Sequence, residues 1–226
     1  MRKMDHRGIS AALRRLAPHV AVALGYVALY RFLRIHSYSH FILPAGLRVA
    51  LLLLVPYRFW PAMAIGESGA ISFVALTCWG RFGILWSICM LIPPLPLGMP
   101  MAWYCRERLG VQPGKVVNLG VTLGLGLACS MAWTLCDLST YLIAISGKAT
   151  SSFTVTGAIL RWMLGNYVGV IAIAAPTLLL ASSAMKTPRG EWLEKFFGSS
   201  LTRESLVGYI PGVAILAYAG SHDPAD

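Results

Sequence analysis

Charge is what this sequence has least of. Only 12% of its 226 residues are Asp, Glu, Lys or Arg, about half the share in a soluble domain. That scarcity excludes an ordinary water-soluble globular fold. Acidic residues are the rarest, with nine Asp and Glu against nineteen Lys and Arg. The net charge of +10 would suit nucleic acid. However, the basic residues fall in the gaps between apolar blocks, where they act as topology signals and contacts for anionic membrane lipids. No nucleic-acid partner is expected. Cys78, Cys89, Cys105, Cys129 and Cys136 form no CxxC pair and read as small buried hydrophobes. A glycine-rich phosphate loop is missing, and no Ser–His–Asp or Cys–His set has a supporting motif. No catalytic residue, cofactor or metal is therefore expected. His36 and His40 have the spacing of two ligands on one helix face, but lack a third ligand nearby.

What is present is apolar. AVILMFWYC residues make up 57% of the chain, mean hydropathy is +0.65, and the apolar residues lie in long blocks. The fold class is all-α, a polytopic integral membrane helical bundle of about seven spans, within a range of six to eight. The blocks predict helices over Leu16–Phe32, Leu43–Val55, Phe59–Trp79, a proline-broken segment from Phe82, one from Val116 toward Ile145, Thr154–Ala181 and Leu206–Ala219. Residues 1–15 form a basic cytoplasmic segment, 16–220 the transmembrane domain and 221–226 a polar tail. No A-x-A-like cleavage site follows a clean apolar core, so the first helix is expected to be uncleaved. A short interfacial helix is expected at Trp192–Phe197.

Thirteen Lys and Arg fall on the assigned cytoplasmic side; Arg31, Arg34, Arg48, Arg81, Lys148 and Arg161 are the other six. That bias puts the N-terminus inside. Small residues recur every fourth position at Ala17, Ala21 and Gly25, and again at Gly120, Gly124, Ala128 and Ala132. Both ladders read as helix-packing stripes. Trp60 is expected at interface depth, in an aromatic belt.

The chain is organised around residues 43–67. Arg48 lies nine residues before Tyr57, and Glu67 ten after it. On two helices joined at that turn, each charge sits roughly 14 Å from it, near mid-membrane depth. A lone charge there costs about 2.5–3.5 kcal/mol, and an opposite partner relieves it. The pair is either a structural ion pair or the lining of a polar cavity in which Arg48 clamps an anionic or zwitterionic ligand. The predicted Leu43–Val55 helix is short for a span. It must thin the bilayer, start earlier near Ser39 or be shielded by neighbours. Four prolines between Ile92 and Pro100 break the fourth helix and make it a candidate pocket wall. Asp137, Arg161 and Asn166 are positioned to form an outer polar mouth, unless each is separately solvated.

The run Leu43-Pro44-Ala45-Gly46-Leu47, the turn Arg58-Phe59-Trp60-Pro61, the pair Gly66-Glu67, and Gly165-Asn166-Tyr167-Val168-Gly169 followed by Pro176 resemble the first membrane-associated sensor family, MASE type one. Leu43 replaces the family's usual Trp, and Asn166 stands where an acid is common. The resemblance implies an integral sensory input module that signals to a cytoplasmic effector. No kinase or cyclase signature accompanies it in this chain. The expectation is a sensor of a bacterial inner membrane that perceives a small-molecule or membrane signal and hands it to an effector or partner protein. The alternative is a small transporter or the substrate-binding membrane subunit of one, favoured by the broken helix.

Overall fold

The computed structural model describes residues 6–37, 42–111, 118–145 and 155–186. All described secondary structure is helical. The helices are α1 (His6–Ile35), α2 (Leu43–Leu54), α3 (Trp60–Thr77), α4 (Trp79–Phe82), α5 (Ile84–Met90), α6 (Leu95–Arg108), α7 (Leu119–Ile145), α8 (Val155–Gly169) and α9 (Ala175–Lys186). A 3₁₀ turn, Tyr57–Phe59, joins α2 to α3, and a π segment, Val170–Ala174, joins α8 to α9. Five stretches are long and apolar enough to cross a membrane: Arg14–Ile35, Tyr57–Thr77, Ile84–Arg108, Leu119–Ala144 and Val155–Ser182. The predicted span Leu206–Ala219, the helix Trp192–Phe197, the tail 221–226, His40 and Lys148 lie outside the described residues. The basic segment is helical from His6 onward, so α1 begins earlier than its apolar pattern predicts. Ala, Leu and Arg, which populate that stretch, all favour helix.

α2 is the axis of the fold. At about 18 Å it is too short to span alone, yet ten of its twelve residues are buried. Neighbouring helices sheathe it, so of the three ways out of its shortness, shielding holds. Its ends are satisfied without lipid. The Leu43 N–H donates to Ser37 Oγ (3.2 Å), and the Ile42 N–H donates to the Gly165 carbonyl (3.0 Å). Pro44 occupies the first turn, where no N–H is needed.

Missing side chains set how closely the helices approach. A Cβ on Gly46 would collide with the Gly169 carbonyl oxygen, and one on Gly169 with the Ile42 carbonyl. A Cβ on Gly66 would stand 2.7 Å from the Ala23 carbonyl oxygen, which fixes α1 against α3. The π segment ends two residues before Pro176, whose ring lacks an N–H and crowds the carbonyl four residues back, within the π segment; the wider turn absorbs both defects.

The two small-residue ladders do not pack inside the bundle. Gly120, Gly124 and Ala128 are exposed and Ala132 is half-buried. A Cβ on Gly124 or on Gly25 meets nothing within 4 Å. α7 instead turns inward the face carrying Thr122, Gly126, Ser130, Trp133 and Thr134. Polar side chains find no partner in lipid, so their face takes the interior and leaves the ladder outside. Trp60 opens α3 beside the Tyr57–Phe59 turn and faces the bundle rather than its surroundings. It is 7% exposed and belongs to the core.

Candidate functional site

The predicted Arg48–Glu67 pair is formed. Arg48 Nε donates to Glu67 Oε1 at 2.5 Å, with both side chains buried. The second carboxylate oxygen has its own role. Glu67 Oε2 accepts the Leu95 N–H at 2.9 Å. Leu95 opens α6, the C-terminal half of the proline-broken helix, and its flanking Pro94 and Pro96 have no N–H to donate. One carboxylate thereby ties α3 to α2 through a cation and to α6 through a helix N-terminus, where the backbone dipole favours negative charge. The guanidinium of Arg48 lies 4.9 Å from the Trp133 ring centre and 5.8 Å from that of Tyr30. Trp133 Nε1 in turn donates to the Pro94 carbonyl at 2.9 Å. The break Leu91–Pro94 is therefore a tight turn between two half-helices, held from both α3 and α7. The break expected from the four prolines is thus present, as two half-helices, α5 and α6.

Above this junction lies a cavity of about 750 Å³, within the range of small-molecule sites. Arg48, Pro94, Asp137 and Asn166 line it at depth. Residues at the C-terminal ends of α1 and α7, Arg31, Arg34, Tyr141 and Ala144, line it nearer the end of the bundle, with Arg81, Trp86 and Trp162. Asp137 and Asn166 meet there, as expected, but at depth rather than in the outer mouth their positions predict. Asn166 is fully buried beside the Asp137 carboxyl, and its Nδ2 lies 3.5 Å from Thr134 Oγ1. Arg161 is half-buried on α8 and is not part of the lining.

A second clamp closes the opposite end of α2. Arg106, counted by its sequence position as one more cytoplasmic loop charge, sits in the last turn of α6. Its Nη1 donates to the Leu52 and Val55 carbonyls at 3.1 and 2.7 Å, the orphan acceptors of the end of α2. Its guanidinium packs 4.2 Å from the Tyr57 ring centre, and Tyr57 OH donates to Glu107 Oε1 at 2.7 Å.

Sequence reasoning missed Tyr30, Trp133, Arg106 and Leu95 as partners, and Tyr26, buried 6.1 Å from the Tyr30 ring, as part of the core. Only the four-residue spacing of Tyr26 and Tyr30, which puts them on one helix face, offered a signal. His36 Nδ1 bonds the Phe32 carbonyl at 2.9 Å. Among the described residues no cluster of three or more His, Cys, Asp or Glu could hold a metal ion.

The resemblance motifs now have physical reasons. Pro44, Ala45 and Gly46 open a sheathed helix; Gly165 and Gly169 receive it; Pro176 follows the π turn; Trp60 and Pro61 start α3. An all-helical bundle of membrane-spanning segments around a buried charge junction and a polar cavity defines a multi-pass membrane protein with an internal polar site. The family model described as MASE1 matches residues 14–218, and the chain belongs to that family of membrane-associated sensor domains. Neither a curated protein nor a solved structure matches the chain.

Proposed function

We propose that the chain is a sensory input module of a bacterial inner membrane. Its N-terminus is cytoplasmic and it makes about seven crossings. A small-molecule or membrane signal at the cavity is passed to a cytoplasmic effector or partner. The observation that carries this reading is the position of Glu67. It joins α2, α3 and α6 directly beneath the cavity, so an occupant that touches Arg48 alters the forces on all three helices. A ligand biases two packings only by its difference in affinity between them, and a buried, directional carboxylate makes those packings discrete. The Arg106 clamp at the far end of α2 and α6 is where the shift is read out. Membrane lipids surround the exposed apolar faces.

The transporter alternative draws on the same broken helix. Against it, the half-helix N-terminus that such a protein aims at its substrate is already occupied by Glu67.

The test places spin labels at positions 58 and 108 of a cysteine-free protein in nanodiscs. Glu67→Gln is expected to shift the distance distribution at that far end, more than 15 Å along α6 from the substitution site. An unchanged distribution sinks the coupling. Accumulation of a labelled solute by vesicles carrying only this protein would replace the sensor reading with transport.

A further inference from the structure

The lining of the cavity carries a statement about its ligand. Arg31, Arg34 and Arg81 line it, and none has a carboxylate partner among the described residues. Arg31 rests over the Phe73 ring at 4.7 Å and Arg81 over Phe82 at 5.2 Å, contacts that leave their charge in place. Arg48 is also in the lining but is neutralised from behind by Glu67. One acid, Asp137, faces these cations across the cavity. The lining is net positive, and an anion relieves the mutual repulsion of its like charges.

The same residues stand out in the charge pattern. Six Lys and Arg depart from the inward bias, and four of them, Arg31, Arg34, Arg48 and Arg81, converge on this one cavity. Topology requires none of them on that side. At the deep end, Asn166 Oδ1 is buried and accepts no hydrogen bond, although Asn166 lines the cavity. A buried acceptor of that kind wants a donor.

We propose that the cavity binds a small phosphate or carboxylate that also carries a hydroxyl. The anionic group sits among Arg31, Arg34 and Arg81, and the hydroxyl donates to Asn166 Oδ1. Arginine forks match both oxyanions in a bidentate manner. A free solute and the headgroup of phosphatidylglycerol share this chemistry. The proposal names the ligand class for the sensory reading above and rests on that reading only for its consequence, not for binding itself.

The experiment uses the full chain in phosphatidylcholine nanodiscs, with thermal unfolding and tryptophan fluorescence as readouts, since Trp86 and Trp162 lie in the lining. The probes are glycerol 3-phosphate and malate. Glycerol serves as the neutral control and sulfate as the anion without a hydroxyl. A second arm adds phosphatidylglycerol to the disc. At least one hydroxylated anion is expected to raise the melting temperature by several degrees and to bind tighter than sulfate, with glycerol inert. Stabilisation confined to the phosphatidylglycerol arm assigns the site to a lipid headgroup. The Arg34→Gln/Arg81→Gln double variant alters two exposed side chains and is expected to weaken binding at least tenfold. Arg31→Gln is the backup should that variant fold poorly, and Arg58→Gln, at the opposite end, leaves binding unchanged. The proposal is overturned if no arm distinguishes the anions from glycerol, or if the arginine variants bind as the parent does. The spin-label test involves no ligand, so the sensory reading stands or falls separately.

Discussion

Glu67 and Leu95, twenty-eight residues apart in sequence, meet at 2.9 Å, carboxylate to amide, in the middle of the bundle. Because the other oxygen of the same carboxylate holds Arg48, the half-helix α6 is positioned by a charge located on α3. The membrane interior makes this arrangement strongly conditional, since removing any one partner strands the others in a medium that cannot solvate them.

Arg48→Ala therefore leaves a buried carboxylate with only an amide to hold it. The expected loss is about 3–5 kcal/mol, the cost of stranding one half of a buried pair. The reciprocal swap, Arg48→Glu with Glu67→Arg, recovers only part of it, because an arginine at position 67 cannot accept from the Leu95 N–H. Thermal unfolding in detergent measures both. Two silent single variants, or full recovery in the swap, would contradict the three-way junction.

Gly46→Ala and Gly169→Ala each push a methyl group into a neighbouring carbonyl. Backbone cannot step aside as a side chain does, so each is expected to cost at least the roughly 1–3 kcal/mol of overpacking and to lower the yield of folded protein. Gly25→Ala and Gly124→Ala, where nothing lies within 4 Å, are expected to be neutral or slightly stabilising in the same assay. Equal effects at all four positions would show that the close approach of α2 to α8 is not what those glycines serve.

Arg106→Ala uncovers the Leu52 and Val55 carbonyls. Loss of hydrogen bonds from a charged donor is worth about 1.5–3 kcal/mol. Tyr57→Phe removes only the bond to Glu107 and should cost about 1 kcal/mol or less. A melting series on the two variants orders them; the reverse order would mean that Tyr57, not Arg106, closes that end of α2.

Cys89 and Cys136 line the cavity, whereas Cys129 is buried away from it. Single-cysteine proteins retaining Cys89 or Cys136 are expected to react with a small water-soluble thiol reagent, and one retaining Cys129 is expected to resist it. Uniform protection would mean that the cavity is closed to water.

The hairpin was the most legible part of the chain. Opposite charges equidistant from a turn, each in an apolar run, have almost no other stable arrangement in lipid, so Arg48 and Glu67 could be paired from spacing alone. The meeting of Asn166 and Asp137 was legible from their positions only as an outer polar mouth shared with Arg161; the structure puts the pair at depth and leaves Arg161 out of the lining. The small-residue ladders show where such reading fails. Gly120, Gly124, Ala128 and Ala132 have the spacing of a packing stripe, but spacing does not say which face of α7 turns inward. Thr122, Ser130 and Thr134 on the other face decided that. Arg106 was legible only as a charge near a helix end, because the carbonyls it caps belong to a helix fifty residues earlier.

The amino-acid pattern alone determined that this is a helical membrane protein with a charged hairpin at its centre, because apolar length and the cost of isolated charge are local quantities that can be summed along a chain. The tertiary structure alone decided that Glu67 also holds the start of α6 and that α2 is sheathed rather than spanning. It also decided that arginines from separate helices, α1, α2 and α4, face one cavity. Those facts depend on which helices become neighbours, and that choice is made by backbone contact at Gly46, Gly66 and Gly169, where the absence of a side chain has meaning only beside the partner it lets in.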